Sequence, residues 1–112
     1  MKTSELTGPA LDWAVARANG HIDDETIIRR LEPDEDGWCI AYSTDWSQGG
    51  PIIERERITL DGTAILNQWM AVFYVPDEEP WEMRGPTPLI AAMRCFVASK
   101  LGDEIELPKD FL

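Results

Sequence analysis

Residues 87–102, TPLIAAMRCFVASKLG, constrain the fold more than any other stretch of the chain. Thr87 can cap a helix, Pro88 suits its first position and Gly102 can end it, so the pattern predicts a helix over LIAAMRCFVASKL. Leu89, Ile90, Met93, Phe96, Val97 and Leu101 recur at spacings of three and four. The opposite face still carries Ala91, Ala92, Cys95 and Ala98, so the helix is apolar nearly all round, and its apolar run from Leu89 to Val97 is interrupted by Arg94. Such a helix is buried on more than one side. A sheet is expected on one face, and either the first helix or a partner subunit on the other. Left bare on a monomer, the second face would be exposed apolar surface, so a homodimer is expected. The apolar run is far shorter than the roughly 20 residues needed to cross a bilayer, so no membrane association is expected.

The 112 residues suit one domain, and 44% apolar residues with five tryptophans supply one core. A first helix is predicted over residues 9–19, with Thr7 as cap, Pro9 in the first turn and Gly20 at its end. Leu11, Ala14, Val15 and Ala18 share its inner face, while Trp13 and Arg17 fall outside it at a spacing that favours a local cation–aromatic contact. Between His21 and Gly37, Ile27, Ile28 and Leu31 fit one or two helical turns capped by Asp23 or Asp24, with an edge strand as the alternative. EPDEDG (32–37) reads as a turn and WCIAY (38–42) as a buried strand. The region of Ile58 is expected to pair antiparallel with the strand beginning at Trp69, with extra strand length or a bulge at 63–68. PDEEPWEMRGP (76–86), with three prolines, reads as a surface loop. The fold class is therefore α+β: a small antiparallel sheet packed with an N-terminal helix and a buried C-terminal helix.

Ten basic against 21 acidic residues give a net charge of −11, spread along the chain. Direct nucleic-acid binding is not expected, because it needs a concentrated positive surface. Arg29/Arg30 and Arg55/Arg57 are flanked by acids and read as solvated faces. Cys39 and Cys95 stand far apart and no apolar signal segment begins the chain, which fits a reduced cytoplasmic compartment. His21 is the single histidine, so a two-histidine metal site is excluded. Glu32, Asp34, Asp36 and Gly37 have the spacing of the first half of a calcium loop, but the position that requires a bidentate glutamate is Ser43. With no phosphate-binding loop, nucleophile elbow or dinucleotide fingerprint, no catalytic residue, cofactor or metal is expected.

The segment YSTDWSQGGPIIERERI (42–58) carries the candidate ligand site: Tyr42, Asp45, Trp46, Gly49, Gly50 and Glu54. Ser43 and Asp45 can bond to downstream amides, the glycines permit close backbone approach, and Tyr42 and Trp46 offer aromatic platforms. A loop with outward amides is expected over DWSQGGP. The alternative is a tight connection plugged by an inward Trp46. IIERERI should re-enter the fold with isoleucines inward and charges solvated.

Trp46 followed by Pro51, Ile52, Ile53, Glu54 and Ile58, and then by Pro88, Leu89, Ala91, Ala92 and Met93, resembles the NinX-like family of small phage and prophage proteins. The resemblance runs from about residue 45 to 107 and more loosely over the first helix, while 21–41 and 61–86 match no pattern. It implies a setting: an accessory phage or prophage product in the cytoplasm of a bacterial host. The leading functional expectation is a non-enzymatic binding module that engages a host protein or small ligand through the 42–54 loop. A second is an acidic mimic of nucleic acid that inhibits a host DNA- or RNA-binding protein. A third is a small metal-dependent hydrolase using Asp45 and Glu54.

Overall fold

The computed structural model describes residues 1–21, 23–63 and 67–111. Among these residues, four α-helices and three strands follow in the order α1 (Gly8–Ala18), α2 (Asp24–Arg30), α3 (Trp46–Glu56), β1 (Thr59–Thr63), β2 (Gln68–Phe73), β3 (Trp81–Gly85) and α4 (Pro88–Leu101). Short 3-10 turns lie at Thr3–Glu5 and Lys109–Phe111. The sheet is antiparallel with order β1-β2-β3, and its registers include Leu60 opposite Ala71 and Ala71 opposite Met83. The chain is α+β, with helix packed on sheet.

α4 is the centre. Thr87 Oγ1 accepts from the Ile90 amide at 3.1 Å, the expected cap. Leu89, Met93, Phe96 and Val97 of the stripe and Ala91, Ala92, Cys95 and Ala98 opposite it are all buried, while Ile90 is half-buried and Leu101, at the end of the stripe, is 41% exposed. β2 and β3 lie on one side, and α1 and α3 on others. The reason for expecting a partner subunit against α4 is thus met within one chain. Arg94, the charged interruption, donates from Nε to the Leu6 carbonyl and from Nη1 to the Arg84 carbonyl, each at 2.8 Å. It ties the N-terminal segment to the sheet edge, and burial pushes its pKa down. The Cys95 thiol donates to the Trp81 carbonyl at 3.3 Å, and burial pushes its pKa up to about 12.

Four local expectations are corrected. Residues 81–85, expected in a loop, form β3; Trp81, Met83 and Gly85 point inward while Glu82 and Arg84 are exposed. Pro80 and Pro86 only bracket this strand, and proline is tolerated at the ends of an edge strand. Residues 38–42, expected as a strand, join no sheet. Their backbone is satisfied otherwise: the Ile40 amide donates to the Arg30 carbonyl at 2.8 Å, the Ala41 amide donates to Gln48 Oε1 at 2.9 Å, and Gln48 Nε2 donates to the Cys39 carbonyl at 2.8 Å. One side-chain amide stands in for a neighbouring strand. Trp13 is 5% exposed, with its indole donating to Asp24 Oδ1 at 3.1 Å and its ring 6.3 Å from Phe111. α1 packs against both α4 and α2, so its buried face is wider than one stripe.

The fourth correction is α3. DWSQGGP is no loop: Asp45 caps a helix that runs through both glycines and Pro51. Glycine in a helix costs about 1 kcal/mol relative to alanine, and Pro51 removes the amide that would reach the Ser47 carbonyl. Packing overrides both. A Cβ at Gly49 would stand 2.6 Å from Leu89 Cδ1 and 2.5 Å from the Tyr42 carbonyl oxygen, so only glycine lets α3 seat on α4. Ile52 and Ile58 are buried, as expected. The helix ends on Arg57 in the left-handed region (φ 56°), with the Ile58 amide donating to the Ile53 carbonyl at 3.1 Å. The ERE charges are not simply solvated: Glu56 meets Arg55 Nε and Lys100 Nζ, both at 2.9 Å, and Arg55 also reaches Asn19 Oδ1 at 2.8 Å. Burial opposes Glu56's charge, but these two cations hold its pKa below the ordinary value. The expected bulge at 63–68 falls largely on residues 64–66, outside the described residues.

The two helical glycines should respond to alanine with opposite signs. At Gly50 the nearest atom to an added Cβ is Trp46 Cε3 at 3.9 Å, so Gly50→Ala should raise stability by up to about 1 kcal/mol. At Gly49 the same gain is outweighed by overpacking of about 1–3 kcal/mol against a backbone oxygen. Denaturant unfolding midpoints check this. A Gly49→Ala variant as stable as Gly50→Ala would contradict the seating of α3.

Candidate functional site

The segment that Gln48 holds extended faces α2, and the two enclose a cleft of about 340 Å³. Ile27 from α2 and Ile40 from the segment, both buried, form its floor. Trp38 and Tyr42 supply aromatic walls; Trp38 is 50% exposed. His21, Asp23, Thr26 and Arg30 contribute the polar rim. Arg30 and Trp38 also border a second hollow with Arg29, Glu32, Pro33 and Asp34.

Three contacts fix this geometry. The Ile40–Arg30 backbone bond joins the segment to the end of α2, Gln48 joins it to α3, and Asp12 joins it to α1 by accepting from the buried Ser43 amide at 2.8 Å. Burial pushes the Asp12 carboxyl above the usual carboxylate range, against the pull of the Ser43 amide and hydroxyl. The Ser43 hydroxyl sits beside it, buried, with no well-formed hydrogen bond among the described residues. On the rim, Thr26 Oγ1 donates to Asp23 Oδ2, and that bond together with the Thr26 amide holds Asp23 below the usual range. The Arg30 guanidinium makes no ion pair among the described residues.

The six expected residues separate. Tyr42 lines the cleft. Asp45 is committed to its cap, accepting from the Ser47 amide at 2.9 Å, the Ser47 hydroxyl at 2.6 Å and Gln48 Nε2 at 3.3 Å, and the Ser47 hydroxyl is the main cause of its lowered pKa. Trp46 is 52% exposed on the first turn of α3, so it is no plug. Gly49 is buried against α4, and Gly50 lies on the side of the Trp46 ring. Glu54 is exposed near the far end of the same helix, about 13 Å along the axis from Asp45. A divalent ion shared by Asp45 and Glu54 is therefore not assembled, which corrects that expectation. Trp38, Ile40, Ile27, Arg30, His21, Asp23 and Thr26 are cleft residues that the sequence does not single out. The available signal is an arginine pair closing a short helix, followed after an acidic turn by Trp38 and Tyr42.

These features define a small α+β protein whose antiparallel meander packs on a central helix and whose aromatic cleft is built from α2 and an extended segment. The family model described as "Bacteriophage P22, NinX" matches residues 2–100, and the chain belongs to this phage family. The match takes in residues 21–41 and 61–86, which the motifs alone did not reach. No curated protein matches the chain. Among the described residues, no helix is long and apolar enough to cross a membrane.

Asp12 yields a pH dependence. Its folded pKa is raised, so the folded chain binds this proton more tightly than the unfolded one, and stability falls as pH rises from about the ordinary value of 3.8 through the raised value. Asp12→Asn keeps an acceptor for the Ser43 amide and removes the titration. Relative to wild type, this variant should gain stability as pH climbs through that window and hold the gain above it. Unfolding measured across pH 3 to 8 checks this; a difference that is flat with pH, or that shrinks as pH rises, would contradict it.

Proposed function

We propose that this NinX-family chain is a non-enzymatic binding module used by a phage or prophage inside its bacterial host, and that it engages a host protein or small ligand through residues 38–46 and the adjoining cleft. The family supports the phage setting. One observation carries the site: within nine residues, Trp38 and Trp46 are 50% and 52% exposed on either side of Tyr42, which lines a concave, apolar-floored cleft. A large ring held half in water at the edge of a preformed hollow, as Trp38 is, marks a recognition surface rather than core packing, and Trp46 adds a second exposed ring on the adjoining turn of α3. The 42–54 loop expected from the sequence is replaced by a surface whose aromatic members, Tyr42 and Trp46, remain. Asp45 and Gly49 serve by shaping it, the first capping α3 and the second seating it on α4.

An amide-shift map of the isotopically labelled protein against an aromatic fragment and peptide library tests the reading. Hits should perturb residues 38–46 and α2, and Tyr42→Ala or Trp46→Ala should weaken them. Hits confined to the open face of the sheet, indifferent to both substitutions, would contradict it.

A further inference from the structure

The chemistry of the cleft selects among ligands. The geometry points to a planar aromatic group carrying one carboxylate or phosphate, an inference that rests on reading the cleft as a binding site. A volume of about 340 Å³ lies at the small end of ligand sites, enough for one ring system and one charged substituent. Ile27 and Ile40 beneath, with Trp38 and Tyr42 at the walls, offer a surface for a flat apolar body.

The rim sets the charge. Arg30 is the arginine that lines the cleft, and like most cations of the chain it makes no ion pair among the described residues, so its guanidinium is available to a ligand there. A planar guanidinium beside an indole suits an oxyanion attached to a ring. Asp23, the acid on the same rim, lies seven residues earlier, about 10 Å along α2, and its carboxylate is occupied by the Thr26 hydroxyl. An anion at the Arg30 end is thus kept away from it. The net charge of −11 repels anions at long range, so the preference is a contact effect.

Amide-shift titrations with indole-3-acetate and its neutral counterpart indole-3-ethanol, and with adenosine monophosphate and adenosine, test this. At least one anion should shift residues 38–42 and α2 and bind roughly tenfold tighter than its neutral partner, the worth of about one charge-assisted hydrogen bond. Arg30→Gln should erase that preference, Trp38→Ala should weaken both members of the pair, and the exposed Tyr74→Ala should leave both unchanged. Binding by the indole pair alone assigns a carboxylate, and by the adenosine pair alone a phosphate. Equal binding of anion and neutral partner, or a preference that survives Arg30→Gln, overturns the inference while leaving the cleft a binding site. No shift in the cleft with any of the four at about 10 mM overturns the inference and removes its support from the cleft.

Discussion

Burial of both faces of α4 over residues 91–98 is the constraint from which the rest follows. A helix with both its stripe and its reverse face apolar has no side to give to water, so the chain must wrap it. The meander covers one side, and α1 and α3 close others. Arg94, the charged position within the buried part of the helix, acts as a fastener by donating to carbonyls of two separate segments. Cys95, small and buried with its thiol proton directed at the Trp81 carbonyl, belongs to the same packing.

The cleft is a consequence of that wrapping. Leu89 on α4 leaves room only for glycine at position 49, which seats α3 directly against it. Seating α3 brings Gln48 under residues 39–41, where its amide group satisfies the backbone that a strand would otherwise satisfy. The segment so held supplies Ile40 to the floor and Trp38 and Tyr42 to the walls, opposite α2. Asp12 from α1 secures the far end at Ser43, where a buried carboxylate is tolerated because an amide donates to it. A chain of contacts therefore leads from the central helix to the surface on which recognition is proposed.

What could be read from the sequence was what local signals decide. α4 announced itself by cap, proline and periodicity; α1 by proline and periodicity, although Thr7 at its start makes no side-chain cap bond among the described residues; and the β1–β2 pairing by strand-forming residues after Ile58 and from Trp69 on. α3 was hidden because two glycines and a proline argue against a helix, and the contacts that outweigh them, with Leu89 and the Tyr42 carbonyl, form only once the chain has folded. β3 was hidden by its bracketing prolines, although Trp81, Glu82, Met83 and Arg84 do alternate. The segment 38–42 looked like a strand because its composition is that of one, whereas its partner is a side chain. Of the proposed surface, Tyr42 and Trp46 are the residues the sequence offers as aromatic platforms, the first lining the cleft and the second exposed on α3. Trp38, Arg30 and the isoleucine floor were not, since their meeting depends on how α2 and residues 38–42 dock.

Native-state hydrogen exchange followed over dilution tests the central claim most directly, because it separates cover supplied by one chain from cover supplied by two. The amides of residues 91–98 should exchange only through global unfolding, at rates unchanged between about 10 µM and about 1 mM protein. Exchange in α4 that slows as concentration rises would show that a second chain completes its burial, and would contradict the account.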